Sequence, residues 1–399
     1  MEHVQVKTNK RSMYLFIFLG MGLLITTTGF GRLAYGVVLP FMQADLSFTT
    51  TEAGMLGTYL FLGYLVTVGL SGILTKKLGP KLTVLIGNMS VFIGLSCLIF
   101  VNSYGFAVVS VFLLGLGSAL VFTPLMSLVI IFFPQHRGTV MGFLMSGAGI
   151  GMLLSGFIVP LIMHVFPVEA WRHVWGIFAF LTLVFLLFTF FFLKDAPNRT
   201  TSVQHEVSNQ AWRSPSLYLL GIIYFLIGFV YLIPTLYQTS YLIDLGVSES
   251  LAGSIYSFAG FVSIFGPPLW GWIADRIGIK KALITVITLS AFGNIIPVIL
   301  TDTVFFTFSS FFWGTSLGGT LVLIQLQVAK LVKPQYVPLA ISFISIFYGI
   351  GQMAGPGVSG FLIDYFDTYR AAYLFGTGGF ITCTLLSFFL PSTRLKSLR

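Results

Sequence analysis

The sequence predicts an all-α integral membrane protein with twelve transmembrane helices. Of the 399 residues, 56% are apolar and only 8% are charged, and the mean hydropathy is +0.95. Charged residues make up about a quarter of an ordinary soluble domain. The composition therefore excludes a soluble globular protein, a disordered chain and a nucleic-acid-binding module. The apolar runs are continuous and much longer than the roughly ten-residue alternating strands of a membrane barrel, so helices are predicted.

Each predicted span is an apolar run bounded by charges, Gly/Pro clusters or polar turns, and a span needs about 20 residues to cross the hydrocarbon core. In chain order the spans cover residues 13–42, 54–75, 80–101, 104–133, 137–164, 172–193, 215–243, 250–274, 281–300, 303–331, 336–365 and 369–390. The one long polar connection, residues 194–213, follows span 6. It divides the chain into an amino-terminal half (1–193) and a carboxy-terminal half (214–399) of six spans each.

Basic residues are concentrated at one end of the predicted spans. This basic end carries Lys7, Lys10, Arg11, Lys76, Lys77, Lys81, Arg137, Lys194, Arg199, Arg213, Arg276, Lys280, Lys281, Lys330, Lys333, Arg394, Lys396 and Arg399. The opposite, acidic end carries only Arg172 and Arg370, beside Asp45, Glu52, Glu169, Asp244, Glu249, Asp302 and Asp367. The positive-inside rule then predicts a protein of the cytoplasmic membrane with the basic end, both termini and the central connection in the cytoplasm.

Three features that could suggest other functions have simpler explanations. The net charge of +9 is spread singly over short loops and forms no basic patch, so no nucleic-acid partner is expected. Cys97 and Cys383 lie inside apolar runs, where cysteine behaves as a small apolar residue. The basic residues before span 1 imitate a signal peptide, but the apolar stretch continues to Met42 without an obvious small-residue cleavage site. Span 1 is therefore expected to be retained.

The two halves repeat each other in sequence. The segment Gly72-Ile-Leu-Thr-Lys-Lys-Leu-Gly79-Pro-Lys follows span 2, and Gly271-Trp-Ile-Ala-Asp-Arg-Ile-Gly278-Ile-Lys-Lys follows span 8, an offset of 199 positions. The same offset carries Gly29-Phe30 of span 1 onto Gly228-Phe229 of span 7. Six-span halves repeated in parallel are typical of a large class of secondary transporters.

These segments resemble the major facilitator superfamily. The segment from Gly271 to Lys281 is similar to the family signature G-x-x-x-D-R-x-G-R/K-K/R, which occurs between spans 2 and 3 and again between spans 8 and 9. Span 1, with Gly29-Phe-Gly-Arg-Leu-Ala-Tyr-Gly-Val-Val-Leu-Pro40, resembles a poorly characterised bacterial branch with a G-F-G-R-x-A-Y pattern. The resemblance covers the whole chain and implies the major facilitator fold, with a cavity lined mainly by spans 1, 4, 7 and 10.

The resemblance also implies a gate at the basic end. In the family, the acid of this loop caps a helix of the opposite half, and the basic residues pair with acids. A carboxylate at a helix amino terminus is electrostatically favourable. The implied gating residues are Gly271, Asp275, Arg276, Gly278 and Lys280. In the first copy of the loop Lys76 replaces the acid, and the alternative for all of these residues is that they are ordinary membrane-surface anchors.

Arg32 is the one charged side chain well inside a predicted span. An arginine near the bilayer centre costs about 2.5 to 3.5 kcal/mol on the insertion scale and usually faces a cavity or a partner. Every acidic residue lies in a loop, a tail or near a span end, with Asp45 and Asp364 the nearest to the membrane centre. We therefore expect the guanidinium to bind an anionic group of the substrate, such as a carboxylate. The alternatives are structural hydrogen bonds or a side chain that reaches the membrane surface.

Polar side chains at spacings of three and four residues are predicted to complete the substrate site. In span 7 they form a stripe in which Tyr231 is the repeat equivalent of Arg32. The candidates are Thr28 and Tyr35 in span 1, Tyr231, Thr235 and Gln238 in span 7, Gln325 in span 10 and Tyr348 in span 11. For each of them the alternative is interhelical hydrogen bonding or packing.

These observations predict a secondary active transporter that moves a small organic anion, expected to be a monocarboxylate, by alternating access. A single buried cation suits a single negative charge. The sequence contains no G-x-x-x-x-G-K-S/T loop for an ATP-driven pump, and its histidines do not cluster, so no enzymatic activity, cofactor or metal is predicted. The expected partners are the anionic substrate, the lipid bilayer and either a coupling proton or a counter-anion.

Two alternatives remain open at this point. The abundant phenylalanine and tyrosine also suit a multidrug or metabolite efflux transporter with an aromatic cavity, although Arg32 would disfavour cationic compounds. A transporter-like receptor that signals without net transport is the second alternative, and it would be expected to carry an appended soluble domain.

Overall fold

The computed structural model of the chain describes residues 10–166, 169–195, 214–333 and 336–391, with the backbone alone at residues 10, 137 and 338. Within these ranges the chain is helical and contains no strand. Several predicted features lie outside the described residues, namely Lys7, most of the 194–213 connection with Arg199 and Arg213, and the tail residues Arg394, Lys396 and Arg399.

The described residues form twelve helical spans, numbered here α1 to α12, as the sequence predicts. The first, α1, has three segments: an α-helix Lys10–Leu24, a π-helix Ile25–Leu33 and an α-helix Tyr35–Leu46. The next five are α2 (Thr50–Leu78), α3 (Pro80–Ile99), α4 (Tyr104–Phe132), α5 (Arg137–Val165) and α6 (Ala170–Phe192). Then follow α7, in two segments Pro215–Val230 and Leu232–Asp244, α8 (Glu249–Ile277), α9 (Ile279–Ile299), α10 (Thr303–Leu331), α11 (Val337–Phe366) and α12 (Tyr369–Ser387).

Eleven helical stretches of the described residues are long and apolar enough to cross a membrane. Among the twelve spans, α12 alone falls short, because its 19 residues include several glycines and threonines. Many large apolar side chains on the outer faces are exposed, for example Phe191 at 70% and Phe389 at 76%. Such a surface suits lipid rather than water, as expected for a multi-pass membrane protein.

The repeat predicted from the sequence is visible in the backbone. Gly79 joins α2 to α3 with φ +85°, and Gly278 joins α8 to α9 with φ +90°. Both values lie in the left-handed region that side chains other than glycine rarely adopt. Two glycines 199 positions apart thus make the same sharp turn in the two halves.

The two halves meet through close helix pairs lined by small residues. In the α2–α11 pair, a Cβ on Gly54 would collide with the carbonyl oxygen of Pro356. In the α5–α8 pair, a Cβ on Gly156 would collide with the side chain and backbone of Ser257. Small residues let membrane helices approach closely enough for extensive van der Waals contact.

Hydrogen bonds between the halves lie toward the acidic end in the described part of the chain. The Asp364 carboxylate accepts from the backbone N–H groups of Thr50 and Thr51 at 3.1 and 2.6 Å. The Gly357 N–H donates to Thr58 Oγ1 at 3.1 Å. Toward the basic end, a Cβ on Gly69, Gly72 or Gly271 would meet no other heavy atom within 4 Å. The described halves are therefore joined at the acidic end.

Candidate functional site

Arg32 lies at the centre of the candidate site, with its guanidinium against aromatic rings of α2. The guanidinium carbon is 4.4 Å from the ring centroid of Tyr64 and 4.8 Å from that of Phe61. The side chain is half-buried, and its buried Nε has no hydrogen-bond partner among the described residues. Cation–π contacts stabilise a desolvated guanidinium by about 2 kcal/mol, but they leave its N–H donors unused.

A π-helical segment sets the position of Arg32. In a π-helix the backbone bonds run from i to i+5, which changes the direction of each side chain relative to an α-helix, and such segments are frequent at functional sites. Gly29 in this segment touches Gly151 of α5, where a Cβ on either residue would lie 2.5 or 2.6 Å from the other backbone. The carbonyl oxygen of Leu33 accepts the hydroxyl of Tyr256, from α8, at 2.6 Å. Both halves thus hold the backbone around Arg32.

A tyrosine cluster from α7 and α11 faces Arg32. Tyr348 stacks on Tyr224 with ring centroids 4.2 Å apart and on Tyr231 at 5.7 Å. The Gln352 amide donates to the Tyr231 hydroxyl. Tyr231 and Tyr348 lie within electrostatic range of the guanidinium. The site therefore combines one cation with phenolic hydroxyl groups and aromatic faces from both halves.

No acidic side chain neutralises Arg32 in the described part of the chain. The ion pairs there join Arg172 to Asp45 at 3.3 Å and to Glu169 at 3.5 Å. The other acid near the membrane interior, Asp364, bonds to the amino terminus of α2. The described residues also contain no group of three or more His, Cys, Asp or Glu side chains that could hold a metal ion.

The other predicted site residues have different surroundings. The Tyr35 hydroxyl donates to the carbonyl oxygen of Ala53 at 2.8 Å. Gln238 is fully buried and bridges Ser310 and Trp313 of α10. Thr28 is half-buried, Thr235 is buried with an unpaired hydroxyl, and Gln325 is exposed. Of the predicted residues, Tyr231 and Tyr348 thus lie within electrostatic range of Arg32, and no such proximity is found for the other five.

The predicted gating residues all lie at the basic end of the carboxy-terminal half. The Arg276 guanidinium lies 3.8 Å from the ring centroid of Trp272, and Lys280 Nζ donates to the carbonyl oxygen of Phe388 at 2.7 Å. Asp275 has no ion pair or side-chain hydrogen bond among the described residues. Gly271 is in open space and Gly278 makes the positive-φ turn. In this conformation the predicted gate makes no hydrogen bond or ion pair with the opposite half among the described residues.

Sequence reasoning missed the aromatic wall of α2. Phe61 and Tyr64 are three residues apart on one helix face, but an aromatic residue in an apolar span gives the same signal whether it faces lipid or a cavity. The stack of Tyr224 on Tyr348 and the α2 contact both depend on tertiary packing, which the spacing of residues within one helix does not reveal.

Comparison with known proteins identifies the family. The family model described as "Uncharacterised MFS-type transporter YbfB" matches residues 24–388. The agnestins efflux protein AgnL12 of Paecilomyces divaricatus is 26% identical over 367 residues, covering 91% of this chain and 83% of that protein. Monocarboxylate transporter 12-B of Danio rerio is 23% identical over 357 residues, covering 80% of this chain and 74% of that protein.

A solved structure shows the same fold. The crystal structure of a D-xylose-proton symporter superposes with a TM-score of 0.80 at 14% sequence identity, covering 97% of this chain and 99% of that one. At this identity the likeness concerns the architecture alone, and the all-α major facilitator fold predicted from the sequence is confirmed.

Proposed function

We propose that this chain is a secondary active transporter for a small organic anion, in the first instance a monocarboxylate. The chain belongs to the family described as "Uncharacterised MFS-type transporter YbfB". The anion crosses the membrane by alternating access of a site between the two halves. Its negative group binds Arg32, and the rings of Phe61, Tyr64, Tyr231 and Tyr348 enclose its apolar part.

The observation that carries this proposal is the half-buried Arg32 guanidinium, which has aromatic neighbours but no acidic partner among the described residues. A charge in a low-dielectric site needs a counter-charge or strong hydrogen bonds, and a carboxylate supplies both in a bidentate pair. The matched relative named as a monocarboxylate transporter supports this class of substrate.

The proposal also includes the end from which the substrate enters and the ion that is coupled to its transport. The halves are joined at the acidic end, so the substrate enters this conformation from the basic end. The positive-inside rule assigns the basic end to the cytoplasm and the protein to the cytoplasmic membrane. Since Asp45 and Asp364 are engaged in structural contacts, a coupling proton would travel with a weak-acid substrate, or a counter-anion would be exchanged.

The second candidate function is efflux of drugs or metabolites. It is favoured by the aromatic surroundings of Arg32, which suit flat apolar compounds, and by the matched relative named as an agnestins efflux protein. The two candidates differ in the charge of their ligands, because Arg32 repels cations.

Ligand-induced thermal stabilisation of the purified protein separates these functions. We expect small carboxylates to raise the unfolding temperature of the wild-type protein, because a ligand that binds only the folded state stabilises it. Matched neutral amides and organic cations should have little effect. In Arg32→Gln the apparent affinity for carboxylates should fall about 10- to 100-fold, as expected for loss of a charged hydrogen bond.

The matched control is Lys281→Gln, which removes the same charge from an exposed side chain at the basic end. It should keep carboxylate binding. Carboxylate uptake into proteoliposomes should likewise be retained in Lys281→Gln and reduced in Arg32→Gln. Stabilisation by hydrophobic cations that is equal in the wild type and Arg32→Gln would contradict anion transport and favour efflux.

A further inference from the structure

The contact between α1 and α7 places Arg32 and Tyr231 at the same depth in the molecule. A Cβ on Gly36 of α1 would collide with the carbonyl oxygen of Thr235 of α7, so the two helices touch at this level. Arg32 and Tyr231 each lie four residues before these contact residues, about one helical turn nearer the basic end. Because the described halves are joined at the acidic end, both residues border the space between the halves.

The contact between α2 and α11 places Tyr64 beside the tyrosine cluster. A Cβ on Gly349 of α11 would lie 2.6 Å from Cδ1 of Leu65 of α2. Tyr64 and Tyr348 are the sequence neighbours of these two contact residues. The helix pair thus brings the ring that lies against the Arg32 guanidinium and the central ring of the tyrosine cluster to the same level.

Each half presents an accessible aromatic ring that is accompanied by a buried one. Phe61 is 3% exposed and Tyr224 is 4% exposed, whereas Tyr64 and Tyr348 are half-buried. The rings of Tyr224 and Tyr348 are nearly parallel, with an angle of 13° between their planes, and those of Tyr348 and Tyr231 are inclined by 23°. The stacked rings hold one another in a fixed orientation, so these aromatic faces are in place before a ligand binds.

The site therefore offers a guanidinium beside flat aromatic surfaces. A guanidinium pairs with a carboxylate in its own plane through two parallel N–H bonds. Aromatic rings prefer offset-stacked or edge-to-face neighbours with centroids about 4.5 to 7 Å apart, and such pairs contribute more than the area that they bury. A small carboxylate that carries an aromatic ring can make both kinds of contact at once.

We propose that the transported anion is an aromatic carboxylate. Its carboxylate binds Arg32, and its ring lies against Tyr64 of the amino-terminal half and against the Tyr231–Tyr348 pair of the carboxy-terminal half. The inference rests on the proposed function for its anionic part, and it narrows the substrate class from small monocarboxylates to those with an aromatic ring. A ligand that contacts rings of both halves also favours conformations in which the halves enclose it.

The test compares carboxylates that differ only in the saturation of the ring: benzoate with cyclohexanecarboxylate, and phenylacetate with cyclohexylacetate. Apparent affinities come from thermal stabilisation of the purified full-length protein. In the wild type we expect the aromatic member of at least one pair to bind about fivefold more tightly, as for one favourable pair of rings. Apolar burial alone predicts the opposite order, because the saturated ring has the larger apolar surface.

In Tyr64→Leu the fivefold ratio should fall to about one, and Tyr64→Phe, which keeps the ring, should retain it. Tyr348→Leu should lower the ratio as well, and it keeps the test decisive if Tyr64→Leu does not fold. The matched control is Tyr369→Leu at the acidic end, which should keep the ratio. Tyr369 also belongs to a stacked pair, with its ring centroid 5.4 Å from that of Tyr241, but no contact among the described residues brings it to Arg32.

The failures of the two proposals are distinguishable. A ratio of one or less in the wild type for both pairs, with binding still dependent on Arg32, overturns the aromatic class and leaves anion transport standing. A fivefold ratio that survives in Tyr64→Leu and Tyr348→Leu places the ring elsewhere and overturns this site. If none of the four carboxylates binds, anion transport fails, and benzamide is compared with cyclohexanecarboxamide instead. A preference for benzamide that is lost in Tyr64→Leu then supports the aromatic surface alone, and equal binding overturns it.

Discussion

Gln238 illustrates how one polar residue can serve packing rather than transport. Its amide nitrogen donates to Ser310 Oγ at 2.7 Å, and its amide oxygen accepts from Trp313 Nε1 at 2.8 Å. Both hydrogen bonds are within the carboxy-terminal half, where they tie α7 to α10. The side chain is fully buried. A residue in this position fixes the interface between two helices, and its hydrogen bonds are already used before any ligand binds.

We expect Gln238→Leu to destabilise the protein by about 1 to 2 kcal/mol, because the Trp313 N–H is left buried without an acceptor. Carboxylate affinity should change less than in Arg32→Gln. The measurement is the unfolding temperature in detergent with and without ligand. Gln325→Leu is the comparison, since its exposed side chain should change stability by no more than about 0.5 kcal/mol. A stable Gln238→Leu protein that has lost carboxylate binding would show that Gln238 contacts the substrate.

Charge and polarity explain which site residues could be predicted from the sequence. Arg32 is conspicuous because ionisable groups are costly in lipid, and Tyr231 follows from the repeat. Other buried polar residues, such as Asn294, could not be interpreted from the sequence, because membrane helices contain many polar residues that bond within their own helix. Only the three-dimensional contacts reveal which polar atoms remain unpaired.

At the scale of the helices, hydropathy predicts the twelve spans because lipid demands long apolar helices with internally bonded backbones. It does not predict the π-helix at Ile25–Leu33. The segment Ile-Thr-Thr-Thr-Gly-Phe-Gly-Arg-Leu has no periodicity that distinguishes i to i+5 bonding from i to i+4 bonding. Its glycine contact with α5 and the bond from Tyr256 both come from distant parts of the chain.

The glycine contact between α1 and α5 should control the position of Arg32. In Gly151→Ala the new methyl group would lie 2.6 Å from the Gly29 Cα, so the two helices must separate. Overpacking of this kind typically costs about 1 to 3 kcal/mol. We expect a lower unfolding temperature together with weaker carboxylate binding, because the π-helical segment that carries Arg32 shifts.

The matched control is Gly69→Ala in α2, where the methyl group meets no heavy atom within 4 Å. There the substitution should be neutral or stabilise the helix by up to about 1 kcal/mol, since alanine has the higher helix propensity. If Gly151→Ala behaves like Gly69→Ala in both measurements, the close approach does not position the site.

At the scale of the whole molecule, Asp364 joins the two halves at the acidic end. Its carboxylate accepts two backbone N–H groups at the amino terminus of α2, where Thr49 and Glu52 already form a capping box. A carboxylate in this position is favoured both by hydrogen bonding and by the helix dipole. Since Asp364 belongs to α11, the bond exists only while the halves are together at this end. Alternating access requires that it break when the acidic end opens.

We expect Asp364→Asn to shift the population toward conformations that are open at the acidic end. An exposed contact of this kind contributes about 1 kcal/mol, which corresponds to about a fivefold change in the equilibrium. The reporter is Met55→Cys, at the contact between α2 and Gly357, in a protein whose own Cys97 and Cys383 are replaced. An impermeant maleimide is applied to intact cells and to inverted vesicles. Labelling should rise about fivefold from the side that faces the acidic end.

Asp367→Asn provides the control for charge, because Asp367 lies three residues further along, has no side-chain bond among the described residues and occupies a left-handed conformation that asparagine tolerates. It should leave labelling unchanged. A rise confined to intact cells would also place the acidic end outside the cell, as the distribution of basic residues predicts. Equal labelling of the two aspartate variants would mean that the Asp364 bond does not hold the halves together, and that closure depends on the small-residue contacts between α2 and α11 instead.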